Sequence, residues 1–414
     1  MTTSKLGPVN NWEDDFDILD GAYLNNPFEI WDHLRNSCPI AHSDRRGSNW
    51  LPTTYEDITK IAHDVATFSS TQVLVIPFIE SQSFSYENIN PEVLGYGAPP
   101  ITADPPLHTW TRRLILPWFS HKKVSEYEPL TQAICKKLID EFSKRTTIDG
   151  ATEYAQQIPV RVISHILGVP EDMTDIFTTW VRDFLEFADN SENRFNSIKE
   201  IVLYLIGVIE ERKILISKGQ HLDDMISFLI QEQNNNPEID DAIVLGMSIL
   251  LLIAGIDTTW SAIGSALWHL GKNPNDLLML KQQPEIMDTA IEEILRAYSP
   301  VTMARVVTKD TEFNGCPMKQ GEKVLMNFPA ANRDPKVFEN PETVNLKRKI
   351  NRHVAFGSGI HRCGGANLAR MELRIAISTF IDNLPDFIVD NDDDVIWAGG
   401  QVRGPRKLPL TFIK

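Results

Sequence analysis

Cysteine is scarce in this sequence: four among 414 residues (Cys38, Cys135, Cys316 and Cys363), none in a close pair. That spacing excludes a disulfide framework and suits a reducing compartment. Basic charge is also in deficit, with 40 Lys and Arg against 56 Asp and Glu, a net charge of −16. Nucleic acids and anionic membranes need a basic face, so neither is expected as the main partner. Residues 1–20 are polar and acidic and lack the apolar core of a signal peptide. The longest apolar run, Ala242–Ile256, is bounded by Asp241 and Asp257. It falls short of the roughly 20 residues that cross a bilayer and reads as a buried helix. No membrane anchor is therefore expected, and the protein reads as soluble and cytoplasmic. Repeats at solenoid or propeller periods are missing, and no Gly/Ser-rich or Pro-rich linker divides the chain, which predicts one domain over residues 1–414.

What is present is mostly helical pattern. Hydrophobic residues make up 42% of the chain. They recur at spacings of three and four in Pro129–Ser143, Phe195–Lys218, Asp223–Gln233, Asp241–Lys272, Pro284–Ala297 and Gly364–Asn383. Strand-like segments are short: Ile40–Leu51, Arg305–Phe313, Lys323–Asn327 and Pro409–Ile413. The irregular stretches are Gln72–Thr102, Gln233–Asp240 and Asn327–Ser358. The last is long for a loop in a compact domain, which points to function or to wrapping around something. The expected class is mainly α with a small β region.

The most informative stretch is Phe356-Gly357-Ser358-Gly359-Ile360-His361-Arg362-Cys363-Gly364-Gly365. Its glycines permit positive φ and close approach to a flat object. Cys363 stands just before a helix-prone segment, where backbone N–H groups and the helix dipole favour a thiolate. Such a thiolate is a good axial ligand for haem iron and favours O–O cleavage. Two other readings stand beside this one: a buried structural cysteine, and zinc held by His353, His361 and Cys363.

FGSGIHRCGG matches the haem-binding signature FGxGx[HR]xCxG at every fixed position, and the chain resembles the cytochrome P450 family. Three further motifs follow in the family's order. Ala254-Gly255-Ile256-Asp257-Thr258-Thr259 resembles the oxygen-activation motif [AG]Gx[DE]TT. On a helix the Thr258 hydroxyl can bond back to the Ala254 carbonyl. Leu250, Ala254 and Thr258 fall on one face, and Asp257 cannot share it. Glu293 and Arg296 resemble the ExxR motif, with Arg348 as its third member and Asn332–Pro335 as the NRDP segment. His108 and Arg112, four residues apart, start a helix and point the same way.

The resemblance implies a single triangular, mainly α domain with haem b buried between the long central helix and the cysteine loop. It implies Cys363 as the axial iron ligand, with Phe356 and Gly357 against the haem and His108, Arg112, Arg305 and His361 holding its propionates. Thr258 and Asp257 would supply protons at the distal face, and Leu250, Ile253, Ala254 and Val301 would line the substrate pocket. Aromatic residues in Gln72–Thr102 (Phe78, Phe84, Tyr86, Tyr96) and Phe177–Phe195 (Trp180, Phe184, Phe187) would roof the pocket, or simply pack the core. The implied activity is insertion of one atom of O2 into a small apolar organic substrate. Electrons would come from a separate ferredoxin and reductase, as in the soluble bacterial members, and the protein would be a monomer. A peroxygenase of the same fold and a non-catalytic haem sensor or carrier of diatomic gas are the alternatives.

Overall fold

The fold is set by one apolar helix long enough to cross the molecule. The structure, a computed structural model, describes residues 6–76, 97–186, 191–220 and 222–413. Among these, the helices are α1 (Gly21–Asn25), α2 (Phe28–Ser37), α3 (Tyr55–His63), α4 (Leu107–Ile115), α5 (His121–Phe142), α6 (Gln157–Leu167) and α7 (Thr174–Leu185). They continue with α8 (Ser191–Ser217), α9 (Met225–Gln233), α10 (Asp241–Lys272), α11 (Pro274–Gln282), α12 (Met287–Ala297), α13 (Phe328–Ala331) and α14 (Ala366–Asn383). The central helix α10 has the bounds its sequence pattern implied, because Asp240 caps it by accepting from the Ile243 amide at 2.9 Å. It is long and apolar enough to cross a membrane, but most of it is buried inside the fold against α6, α8, α14 and a C-terminal strand.

Gly255 shows how closely α6 approaches. A Cβ at this position would lie 2.8 Å from Ile163 Cγ1, so only glycine lets the two helices meet there. The helix runs uninterrupted through Gly255 and Thr258. The pattern reading of α5 needs correction. It starts at His121, not Pro129, and carries Pro129 inside. Ser120 caps the helix, and the buried stripe Val124, Tyr127, Thr131, Ile134, Leu138 passes through the proline position without a break. Tertiary burial outweighs the hydrogen bond that the proline removes.

Sheet structure is minor, as the short strand-like segments implied, but Ile40–Leu51 and Arg305–Phe313 each divide in two at a turn. The main sheet has the order β1 (Ile40–Ser43), β2 (Asn49–Pro52), β8 (Lys323–Met326), β5 (Met303–Val307), β3 (Phe68–Ser69). Only the β2–β8 pair in it is parallel. A second sheet joins β4 (Thr147–Asp149), β12 (Pro409–Phe412) and β9 (Phe387–Ile388). Two hairpin-like pairs complete the set: β6 (Thr311–Phe313) with β7 (Cys316–Met318), and β10 (Ile396–Ala398) with β11 (Gly404–Lys407).

The stretch Asn327–Ser358 holds only the short helix α13, yet its path is fully specified. Glu293 and Arg296 on α12 have no exposed side-chain surface and pair in two bonds of 2.8 Å. Arg296 spends its remaining donors on the carbonyls of Asn332 (3.0 Å), Pro341 (2.8 Å) and Thr343 (3.0 Å). Glu293 also accepts from Arg348 Nε (2.9 Å), the Asn345 amide (2.8 Å) and Asn351 Nδ2 (3.1 Å). Asn332 in turn accepts from the Val354 amide at 2.7 Å, which delivers the chain to the cysteine loop. Replacing Glu293 with glutamine leaves two arginines short of their counter-charge. It should cost about 3–5 kcal/mol of stability, as removal of one partner from a buried pair does. Denaturant unfolding measures this, and a loss below about 1 kcal/mol would place the pair with ordinary surface contacts.

Candidate active site

The cysteine loop is a tight turn closed on itself. The Cys363 amide donates to the Phe356 carbonyl at 2.7 Å, Gly357 and Gly359 take φ of +75° and +70°, and a short 3-10 turn covers Gly359–His361. At Gly359 a Cβ would lie 2.4 Å from the Ala62 carbonyl oxygen, so glycine is required both by conformation and by contact with α3. Cys363 ends three residues before α14 begins, and the Gly365 backbone hydrogen-bonds its sulfur. Its side chain is solvent-accessible, yet surrounding protein raises its thiol above the ordinary value, while Gly365, Arg112, Arg362 and Arg370 oppose the rise. A residue open to solvent but hemmed in by protein faces a cleft, not the outer surface.

On α10 the described side chains are nearly all buried. The exceptions in the middle of the helix are Leu250, Ile253, Ala254, Gly255 and Thr258, a stripe at spacings of three and four. The Thr258 hydroxyl donates to the Ala254 carbonyl at 2.9 Å, the back-bond its position implied. Val301, half-buried, bridges to Val402 beside the start of β5. Asp257 points away from the stripe and is fully buried. Its Oδ1 lies 2.7 Å from Arg406 Nη2, a contact without hydrogen-bond alignment. Arg406, on β11, also donates to Ser261 Oγ (2.9 Å) and to Glu186 at the end of α7, and its guanidinium stacks 4.3 Å from the Trp260 ring. Burial pushes the Asp257 carboxyl up to about 7; Glu186 adds to this, while Arg406 and Arg182 oppose it.

Four basic side chains converge from three elements. The His108 and His361 ring centroids are 4.3 Å apart, and both Nε2 atoms are buried without a hydrogen-bond partner. Burial depresses His361 to about 3, and Arg305, His108 and Arg112 push in the same direction. Arg305 is itself lowered to about 10 by burial, and its Nη1 has only its neighbour's carbonyl, Ala304, at 2.7 Å. Arg112 bonds the Arg362 carbonyl beside Cys363. Asp104, the carboxylate that acts on His108 and Arg305, is engaged by Ser69 Oγ (2.6 Å) and the Ser70 amide (3.0 Å). Two arginines beside two imidazoles whose buried Nε2 atoms are orphaned fit the carboxylates of a bound anion, and haem carries two propionates. Together with an accessible sulfur this donor set fits haem. Zinc is not supported: His353 faces Glu292 through Nε2 (2.9 Å), and its Nδ1 accepts from the Ala355 amide (3.2 Å). No metal-binding group of three His, Cys, Asp or Glu forms among the described residues.

The profile of the cytochrome P450 family matches residues 160–395. This chain belongs to that family. It is 30% identical over 409 residues to the polyketide biosynthesis cytochrome P450 PksS of Bacillus subtilis, covering 95% of this chain and 97% of PksS. The solved PksS structure superposes with a TM-score of 0.85, covering 96% of this chain and all of that one. The 6-deoxyerythronolide B hydroxylase of Saccharopolyspora erythraea is 29% identical over 401 residues, covering 95% of this chain and 98% of the hydroxylase. The structure of P450BioI with a hexadec-9Z-enoic acid-ligated acyl carrier protein matches with a TM-score of 0.82 and 27% identity, over 95% of this chain and 100% of that one. The protein is a P450 monooxygenase, which removes the gas-sensor alternative, and the family's cofactor is haem b.

Sequence patterns named the loop, the α10 motif and the ExxR trio but missed Arg406 and Glu186, which no local spacing signals. Of the roof aromatics, Trp180 packs on Phe177 and on Tyr204 of α8, and Phe184 is buried, as core is. Phe78, Phe84, Tyr86, Tyr96 and Phe187 lie outside the described residues.

The acid on α10 carries a pH signature. A carboxyl raised on folding holds its proton more tightly in the folded state, so stability falls as pH rises from 3.8 through about 7. Asp257→Asn should flatten that slope in thermal unfolding from about pH 4 to about pH 8. Equal slopes in both proteins would mean that Arg406 keeps Asp257 ionised throughout.

Proposed function

We propose that this P450 oxygenates an apolar, aliphatic organic substrate, of fatty-acyl or polyketide kind, with electrons from a separate ferredoxin-type donor. The observation that carries the reading is the open stripe in the middle of α10: between Leu250 and Thr258 the accessible side chains are aliphatic apart from one hydroxyl. Leu250, Ile253, Ala254 and Val301 form an apolar, non-aromatic wall suited to saturated chains. The relatives named for polyketide biosynthesis and for a fatty-acyl carrier complex point the same way. Residues 1–414 act as one domain, and the protein works as a cytoplasmic monomer.

When bound, haem supplies activation of O2 and transfer of one oxygen atom to the substrate. The chain's part is to position and to handle protons. Cys363 would hold the iron through its sulfur, which the Gly365 amide orients, and Phe356 and Gly357 would shape the loop against the bound group. His108, Arg112, Arg305 and His361 would hold the propionates. Thr258 presents its hydroxyl to the substrate side. Asp257, on another face, exchanges protons with it through water or backbone, since the two side chains do not touch. An acid with a value near 7 can give and regain a proton at neutral pH.

Thr258→Ala removes the hydroxyl while leaving the sulfur and propionate contacts intact. Electron uptake should continue while product per NADH falls severalfold and H2O2 rises, as loss of a positioned proton donor implies. Unchanged coupling would assign the proton to another group. Turnover with added H2O2 exceeding the ferredoxin-driven rate would favour the peroxygenase alternative.

For the electron donor, Arg113, Lys122 and Arg362 are exposed. Lys123 is half-buried, pairs with Glu126 at 2.9 Å and Asp223 at 3.6 Å, and lies over the Trp118 and Tyr127 rings. A basic patch on an acidic protein would steer an acidic donor, and here Arg113, Lys122 and Arg362 would carry it. Reversing Arg113 and Lys122 to glutamate should slow ferredoxin-dependent reduction, most at low ionic strength, and spare H2O2-driven turnover. Equal loss in both assays would trace the effect to the fold.

A further inference from the structure

Glu292, the neighbour of the ExxR glutamate, organises a second set of contacts on the cysteine side. Arg370, in the first turns of α14, donates to both Glu292 oxygens, from Nε at 2.5 Å and Nη2 at 2.8 Å. His353 faces the same carboxylate at 2.9 Å through Nε2. Since its Nδ1 accepts from the Ala355 amide at 3.2 Å, the ring proton sits on Nε2 and the neutral tautomer satisfies both contacts. The Arg370 guanidinium lies 4.5 Å from the centroid of the Phe356 ring, and the His353 ring is 6.1 Å from it on centroids. Phe356 is thus flanked by two basic side chains that share one anchor. Although burial raises the Glu292 carboxyl, bonds from Arg370 and His353 hold it at about 2, so the anchor stays charged. The Phe356 carbonyl receives the Cys363 amide at 2.7 Å, and the Arg370 charge, after those of Arg112 and Arg362, favours the thiolate through space.

We propose that Arg370, clamped by Glu292 and stacked on Phe356, is a positioning residue that sets how readily the haem accepts its electron. The inference rests on Cys363 being the iron ligand. The step is one electron from the ferredoxin-type donor to ferric iron, giving ferrous iron, with no proton moved. Reduction adds negative charge beside the thiolate, so a fixed positive charge in the loop's outer shell favours it. Glu292 offsets that charge and fixes its place. Both side chains are 30% exposed, so water screens the effect and the expected changes are several-fold, not orders of magnitude.

The test is a spectroelectrochemical titration of the holoenzyme and three variants, with the reduced-CO spectrum recorded for each. Arg370→Met keeps an apolar stem on Phe356 and loses the charge. Poised at the wild-type midpoint, its ferrous-to-ferric ratio should fall several-fold. Glu292→Gln keeps the acceptor and loses the opposing charge, and its ratio should rise several-fold. Arg370→Lys, which keeps charge but not the fork, should lie between wild type and Arg370→Met. A merely structural clamp would move Arg370→Met and Glu292→Gln in the same direction, and that result overturns the proposal, as do ratios unchanged in both. If Arg370→Met does not fold, Glu292→Gln and Arg370→Lys carry the same sign test. A wild-type reduced-CO spectrum without thiolate character overturns the ligand assignment itself, whatever the variants do.

Discussion

A carboxylate with no exposed surface cannot be left without partners, and the way Glu293 is satisfied shapes the whole cysteine side of the molecule. Its partners are Arg296 one turn away and, across the chain, Arg348, Asn345 and Asn351; Arg296 collects three carbonyls from the same irregular stretch. Burying so many polar groups is tolerable only because each is paired. A segment with little regular structure thereby has one path, and that path ends at the Val354 amide, two residues before Phe356. The adjacent Glu292 continues the work by holding His353 and Arg370. Two consecutive glutamates on one helix therefore point to different partners, and between them position both sides of the loop.

The other wall of the site depends on a different economy of faces. In α10 an acid and an alcohol are neighbours in sequence but opposed in space: Thr258 is open and bonded to Ala254, while Asp257 is buried against a strand from the C-terminal region. The helix thus separates an accessible hydroxyl from the group that carries a tunable charge. Gly255 lets α6 press close on another flank of the helix, while Asp257 itself has no exposed surface. Desolvation of this kind keeps its proton available near neutrality.

Much of this was legible because it is local. The bounds of α10, the Thr258–Ala254 bond and the Glu293–Arg296 pair all follow from i, i+3 and i, i+4 geometry, and the loop signature needs only short-range spacing. The start of α5 was misread because proline is a strong local signal, whereas the stripe from Val124 to Leu138 that overrides it is a tertiary fact. Arg406 and Arg370 carry no signature of their own. An arginine in a strand or on a helix looks like a surface cation until the fold brings it to Asp257 or Glu292.

Arg406 serves two acids at once, and that has a thermodynamic consequence. Glu186 ends α7 and holds the same guanidinium that faces Asp257. Any free-energy difference that the protonation of Asp257 makes to the grip of Arg406 must be matched by an equal difference that α7 makes to the proton affinity of Asp257. The end of α7 and the acid on α10 therefore share a single linkage. A ligand that altered the Glu186–Arg406 contact would shift the acid's titration, and the pH of the medium would shift that ligand's affinity by the same factor.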